Sequence, residues 1–383
     1  MLWLPVILAL LLAAASWKGE RARAAHYRKY AGRSLRPLTE PPVTVIVPVK
    51  GPDEGLRENL AALAALDYPD FELIVAARSL QDMPPDVVPG KARLVLAGAP
   101  EGEQSEKIRN LLEAVRQARP ESAVLAFADS DGRPDRGWLR ALVAALEQPD
   151  AGAATGYRWH LPEGGFSSLL RSGWNAVIAG NMGPGDNRFA WGGAMAIRRE
   201  TFARARIEDY WREAVSDDYR LSEAVHALGL RVVFAPGALV ATADRTGFAE
   251  LLGWVRRQLR ITRFYAPKLW ALALVSHVLY CSGMAAAVWL AARGSWLAAA
   301  AFFLQIGIGM GKAVWRLQLA RLVMPGYESW FRRWGWVHVL LTPLATWLWL
   351  YASAAAGFSN RIQWRGYCYR LRRLGKPGRA PEL

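Results

Sequence analysis

Four long apolar stretches limit what this chain can fold into. Leu2–Trp17, Leu269–Ala291, Ser295–Gly311 and Trp336–Phe358 contain no Asp, Glu, Lys or Arg. Each reaches or approaches the roughly 20 residues a helix needs to cross a hydrocarbon core of about 30 Å. Lipid cannot satisfy open backbone groups, so a segment that crosses it must be helical. A long segment of ordinary globular composition separates the first stretch from the other three. The expected layout is a membrane anchor at 1–17, a basic juxtamembrane linker at 18–40 and a globular domain at 41–250. A basic interfacial segment at 251–268, a membrane region at 269–358 and a basic tail at 359–383 complete it.

The net charge is +15, and where it lies decides what it means. Residues 18–38 hold seven Lys/Arg against one Glu, and residues 253–268 hold five against none. Residues 312–335 hold five against one, and 359–383 seven against one. Their combined excess is larger than the net charge of the whole chain, so the remaining body is mildly acidic. Basic residues that border apolar stretches suit positive-inside anchoring and attraction to anionic lipids. A nucleic-acid partner would need that charge on the globular domain itself, so none is expected. No obligate protein partner is implied either.

The region before Leu2–Trp17 has no Lys or Arg and the charges follow it. That order favours an uncleaved anchor with the globular domain inside the cell. If all three later stretches cross, the basic tail ends outside. Either Trp336–Phe358, interrupted by Pro343, is re-entrant, or the tail departs from the charge rule. The two cysteines, Cys281 and Cys368, cannot build a disulfide framework or a zinc site, and the globular domain has none, consistent with a reducing cytosol.

Within the globular domain, Val43–Val49 (VTVIVPV), Phe71–Ala76, Ala92–Ala97 and Ala123–Ala128 read as strands, with helical patterns at Glu58–Ala65 and Ser105–Arg119. Strands separated by helix-length segments predict a mostly parallel sheet with helices on both faces. Ligands bind such sheets beyond the carboxyl ends of the strands, at a topological switch point. The first and fourth strands carry the most unusual polar residues in the loops that follow them.

Asp129-Ser130-Asp131 leaves the fourth strand, and alternate carboxylates there can converge on one Mg²⁺ or Mn²⁺ beside a diphosphate. Asp-Gly sequences also simply make turns. Asp217-Asp218 opens the helical pattern at Tyr219–Leu228. Acids there can cap the helix, and one can serve as a general base, with Asp217 capping while Asp218 points into the site. Arg257 and Arg260 share a helical face between Arg256 and Arg263 and could clamp a diphosphate; the plainer reading is cations snorkelling at a membrane boundary. Gly192-Gly193 suggests close approach of backbone to a ligand. His160 and His226 have no partner at triad or metal spacing and read as structural. No GxSxG, Walker A or metal-ligating His/Cys cluster is present.

The order of the motifs is more specific than any one of them. PVKGPDEGL, LDYPDFELIVA, SEKIRNL, FADSD, GGAMAIRR, SDDYRLSEAVHALG, RRQLRITR and the tail WRGYCYRLRR follow one another across residues 1–375. This succession resembles the ceramide glucosyltransferases (family 21 / family 2) and their bacterial relatives, with a GT-A, Rossmann-like α/β domain, one N-terminal and about three C-terminal membrane helices. The resemblance implies that Pro48, Lys50, Gly51, Lys107 and Asn110 frame a nucleotide, that Asp129 and Asp131 hold a metal–diphosphate, and that Gly192 lines the donor sugar. It makes Asp218 the catalytic base and Arg257 with Arg260 the (Q/R)xxRW diphosphate clamp.

The chain departs from the family at several points. Ile261 replaces the clamp's Trp. Both acids of the D-x-D are present where animal ceramide enzymes carry only the first. The family's acid after the second strand falls near Arg78-Ser79, and its acceptor-region His near Gly173. The expectation is inverting, single-displacement transfer of a hexose from a UDP-sugar to a membrane lipid hydroxyl, with Mg²⁺ or Mn²⁺. The enzyme would sit in a bacterial inner membrane, its catalytic domain at 41–250 in the cytoplasm and Phe166–Ile178 guiding the lipid. Other acceptors (a hopanoid, a polyprenyl phosphate, a diacylglycerol, a polysaccharide) and a non-catalytic membrane protein with a degenerate transferase domain stay open.

Overall fold

The computed structural model describes residues 2–31, 37–51, 53–83, 85–375 and 377. Parts of the expected basic linker (32–36) and basic tail (376 and 378–383) lie outside the described residues. In chain order the elements begin α1 (Trp3–Tyr30), β1 (Val43–Val49), α2 (Leu56–Ala64), β2 (Phe71–Ala77), β3 (Ala92–Leu96), α3 (Glu106–Gln117) and β4 (Val124–Ala128). Next come β5 (Arg133–Pro134), α4 (Trp138–Leu146), β6 (Ala151–His160), α5 (Phe166–Ala179), β7 (Ala194–Arg198), α6 (Arg199–Arg204), α7 (Ile207–Trp211), α8 (Asp217–Ala227) and β8 (Arg231–Thr242). The rest is α9 (Phe248–Tyr265), α10 (Pro267–Ala292), α11 (Trp296–Val323), α12 (Glu328–Leu340), α13 (Thr342–Ala355), β9 (Arg361–Trp364) and β10 (Tyr367–Arg370).

The chain divides into two compact units. A sheet unit comprises Gly32–Arg158, Pro184–Thr242 and Arg361–Leu383; a helical unit comprises Met1–Ala31, Trp159–Gly183 and Ala243–Asn360. The sheet has eight strands in the order β3-β2-β1-β4-β7-β6-β8-β5. All seven residues of β1 are buried, because both faces are covered. Val43, Val45, Val47 and Val49 enter a core with Leu60 of α2 and Leu142 of α4, while Ile46 enters the opposite core with Ile108 and Leu111 of α3. Such two-sided burial is why a parallel strand reads as an unbroken β-branched run.

The expected mostly parallel sheet holds for only half of it. β1 pairs in parallel with β2 and β4, and β2 with β3. β7 is antiparallel to both β4 and β6, and β5 to β8. β6, with Gly152 and Gly156, lacked the apolar run that marked the other strands. A side chain at Gly156 would collide with the Ala238 backbone of β8, so the glycine is a packing requirement of the strand pair. The order of the strands reverses at β1, which lies between β2 and β4, so the loops after β1 and β4 leave neighbouring strands at a topological switch point.

In the helical unit, α1, α10 and α11 are long and apolar enough to cross a membrane. The segment 18–30, expected as linker, continues α1 as helix to Tyr30. Small residues let these helices approach closely: Gly283 of α10 faces Ala9 and Pro5 of α1, and Val6 packs on Ala286 and Ala287. Pro325–Leu340 and Thr342–Phe358 bend by 63° at their junction. Pro343 sits in the first turn of α13, where its missing N–H costs nothing but the preceding helix cannot continue straight through it. Phe166–Ile178, expected to guide the lipid, forms most of α5 and is largely buried: Trp174 stacks on Trp349 at 4.2 Å and Leu170 joins Leu251 and Val255 of α9. Phe166, at its start, remains exposed.

Candidate active site

The site grows from the ends of β1 and β4. Asp129, directly after β4, meets Lys107 from the first turn of α3, with Nζ 2.9 Å from Asp129 Oδ1. Ser105 caps α3, its Oγ accepting from Ile108 N at 3.3 Å, and this cap fixes where Lys107 leaves the helix. The same ammonium lies 3.0 Å from Asp217 Oδ2 at the start of α8. Arg158 on β6 forks across the D-x-D: Nη2 is 3.1 Å from Asp129 Oδ2 and 2.6 Å from Asp131 Oδ1, and Nη1 is 3.0 Å from Asp131 Oδ2. The guanidinium lies 5.0 Å from the centre of the Trp191 ring.

The acidic pair splits by burial. Ser216, not Asp217, caps α8, accepting from Tyr219 N at 3.4 Å. Asp217 is buried, and Asp218 half-buried. Asp218 Oδ1 accepts from Tyr219 N at 2.7 Å and from the Ser216 hydroxyl, and Oδ2 accepts from Gly192 N at 3.4 Å. Gly192 and Gly193 are crowded by neighbouring side chains, Gly193 most closely by the Trp191 ring. A Cβ on Gly192 would lie 2.8 Å from Lys107 Nζ and closer still to Asp217 Oδ2; one on Gly193 would lie 2.6 Å from Asp129 Oδ2.

Burial alone would lower the Lys107 ammonium, but Asp129, Asp217 and Asp218 outweigh it and raise it above its ordinary value. Burial would raise Asp129, yet Lys107 and Arg158 hold it below the usual carboxylate range. Burial pushes Asp217 up to about 6 against the pull of Lys107, with Asp218 and Asp129 adding to the rise.

Lys107 and Arg158 pair directly with Asp129, Asp131 and Asp217. Hard carboxylate oxygens at Asp129 and Asp131 are the right donors for Mg²⁺ or Mn²⁺. Among the described residues no three His, Cys, Asp or Glu side chains gather as a protein-only metal site. A cation here would complete its shell with phosphate oxygens and water, as hard ions beside nucleotides do.

The β1 loop supplies the other wall. Lys50 pairs with Glu106 at 3.1 Å, and Gly51 takes φ 69°, a conformation suited to glycine, while its N–H donates to Asp82 O at 2.9 Å. Asn110 Nδ2 donates to Val49 O at 3.4 Å, so it braces the strand end. Pro48 lies within β1 opposite Ala76, so the loop proper begins after it. His160 and His226 meet Asp244 and Asp186, at 3.4 and 3.1 Å, away from this cluster's contacts.

Residues 2–376 match the model of glycosyl transferase family 21. The chain belongs to this family. Its sheet unit is a GT-A domain: the chain is similar to the mannosyltransferase PcManGT from Pyrobaculum calidifontis, solved in complex with GDP-Man and Mn²⁺, at TM-score 0.54 and 20% identity over 86% of this chain and 99% of that one. It is more distantly similar to glucosyl-3-phosphoglycerate synthase from Mycobacterium tuberculosis, solved with Mn²⁺, UDP and glucosyl-3-phosphoglycerate, at TM-score 0.38 and 14% identity over 59% and 80%. No curated protein sequence matches it.

The two arginines expected as a clamp belong to the helical unit. Arg257 and Arg260 lie on α9. Their neighbours are held by backbone: Arg256 Nε donates to Leu252 O at 3.0 Å and Arg263 Nη1 to Ala356 O at 2.9 Å. Sequence reasoning missed Arg158, Asp53 and Trp191. The one signal for Arg158 was a cation inside the otherwise apolar and small-residue run of β6. Asp53 was quoted only within PVKGPDEGL, although it accepts from the Ser130 hydroxyl in the middle of the D-x-D.

Proposed function

We propose that this family 21 chain is an inverting hexosyltransferase that takes a UDP-sugar and glycosylates a hydroxyl of a membrane lipid. The observation that carries the proposal is the division of labour at Asp217 and Asp218. Asp217 is buried against Lys107, whereas Asp218 is half-buried and oriented by three donors, Tyr219 N, the Ser216 hydroxyl and Gly192 N. A base needs that combination of access and fixed aim.

Asp218 takes the proton of the acceptor hydroxyl as its oxygen attacks the anomeric carbon opposite the departing diphosphate. Lys107, fixed between two carboxylates, keeps a positive charge beside Asp129. Arg257 and Arg260 clamp the diphosphate by charge-assisted hydrogen bonds. Asp129 and Asp131 would hold Mg²⁺ or Mn²⁺, which when bound neutralises charge on the leaving group. Gly192, packed beside Lys107 and Asp217, lines the donor sugar in this reading.

We place the catalytic domain at 41–250, in the cytoplasm of a bacterial cell, with α1, α10 and α11 crossing the inner membrane. Residues 361–375 fold into the sheet unit, as the pairs Arg365–Asp53 and Arg372–Glu103 attest. Both ends of α12–α13 are then on the domain's side, which favours a re-entrant pair and leaves the basic tail inside, in keeping with the charge rule.

The test is transfer by purified protein, using a panel of UDP-sugars with membrane lipid extract. Formation of a labelled glycolipid supports the reading. Neither transfer nor nucleotide-sugar hydrolysis with any donor contradicts it and favours a degenerate domain.

A further inference from the structure

After the membrane region the chain returns to the sheet unit as the antiparallel pair β9–β10, with Arg361 opposite Arg370 and Trp364 opposite Tyr367. The two turn residues are Arg365, φ 50°, and Gly366, φ 83°. A two-residue hairpin turn with both φ values positive favours Asn, Asp or Gly. Gly366 meets that requirement and Arg365 does not. Strain of this kind persists where the surroundings, often at a functional site, require the side chain.

Arg365 reaches the loop after β1. Its Nη2 pairs with Asp53 and its Nη1 donates to Lys50 O at 3.5 Å. Asp53 in turn accepts from Ser130, the middle of the D-x-D. On the far side of the turn, the Tyr367 ring centre lies 3.6 Å from the Lys50 ammonium and its hydroxyl bonds to Arg78. Tyr369 Oη accepts from Glu106 N at 3.4 Å. The hairpin thus joins both loops expected to frame the nucleotide. The Asp53 side chain is 8% exposed but that of Arg365 is 39% exposed, so the guanidinium keeps an open side.

We propose that Arg365 is a donor-binding residue, held by Asp53 and a strained turn so that its guanidinium pairs with the diphosphate of the nucleotide sugar. This rests on the nucleotide-sugar reading above. It assigns the C-terminal hairpin to the active site, although more than 200 residues separate it in sequence from the D-x-D.

Arg365→Gly is the informative variant, because glycine suits the turn and removes only the side chain. With the full chain purified in detergent, UDP affinity in Mn²⁺, donor KM, kcat and melting temperature are measured for wild type, Arg365→Gly, Arg365→Lys and Asp53→Asn. Arg365→Gly is expected to weaken UDP binding and raise donor KM by about 10- to 100-fold, the range for a charge-assisted phosphate contact, while melting stays close to wild type. Arg365→Lys is expected to recover part of the loss. Unchanged UDP affinity in Arg365→Gly, with wild type binding UDP, overturns the assignment and leaves the donor reading intact. A fall in melting temperature shared by Arg365→Gly and Asp53→Asn, without a change in donor KM, also overturns it and makes the pair a latch. Wild type that binds no UDP in Mn²⁺ overturns the donor reading itself.

Discussion

Gly192→Ala probes how tightly the loop before β7 closes on the charges. The new Cβ would lie 2.8 Å from Lys107 Nζ, where ordinary contact begins at 3.4 Å, and closer still to Asp217 Oδ2. Lys107 must retreat by about 0.6 Å in a packed interior, which stretches its 2.9 and 3.0 Å pairs with Asp129 and Asp217. Overpacking costs about 1–3 kcal/mol, and loosening a buried pair adds to it. We expect about 2–4 kcal/mol in all, a fall of several degrees in melting temperature for a domain of this size. Transfer should fall as well, because Gly192 N is a donor to Asp218. The control is Gly253→Ala on α9, which has open space and an ordinary backbone and should melt at or slightly above wild type. Thermal melting in detergent and initial rates provide the comparison. If Gly192→Ala melts like Gly253→Ala and transfers sugar at the wild-type rate, the close packing inferred here is wrong.

Truncating Arg257 or Arg260 to Ala should weaken donor binding by about 1.5–3 kcal/mol, measured as donor Kd. Arg256→Ala should be tolerated, and Arg263→Ala should lower melting more than donor affinity because it loses its bond to Ala356 O; equal donor effects at all four would favour membrane snorkelling. Chelation should abolish turnover and Mg²⁺ or Mn²⁺ restore it, with Asp131→Ala weakening metal-dependent UDP binding; full activity in excess chelator contradicts the metal assignment. Because burial raises Asp217 from 3.8 to about 6, the folded state binds this proton more tightly than the unfolded chain. Its contribution to stability is present below about pH 4 and is lost as pH rises through about 6, so wild type should lose stability over that window and Asp217→Asn should not.

Much of this was readable from the sequence because particular residues had few alternatives. VTVIVPV can be buried on two faces only as an interior strand, and both the strand and its limits agree with the structure. Acids one residue apart at the end of AVLAFA had to leave a strand together. The parallel half of the sheet followed from helix-length spacers, but the antiparallel half did not, since β6 is rich in Ala and Gly and has no alternating pattern. The ion pairs were hidden for another reason. Arg158, Lys107 and Asp217 are far apart in sequence and meet only because β6, α3 and α8 converge, so no local spacing encodes the contact. An amphipathic stretch such as Phe166–Ile178 reads the same in sequence whether its apolar face meets lipid or, as here, α9 and α13.

The central claim is that Asp218 is the base and Asp217 its buried neighbour. The direct measurement is sugar transfer to lipid by wild type, Asp218→Asn and Asp217→Asn, with UDP-sugar binding measured alongside. Asn at 218 still accepts a hydrogen bond from Tyr219 N, so folding should hold, but it cannot take a proton. Transfer should fall by about 10²–10⁴-fold with donor binding preserved, while Asp217→Asn should stay folded and retain far more activity. An active Asp218→Asn beside a dead, well-folded Asp217→Asn would contradict the account and move the base by one position.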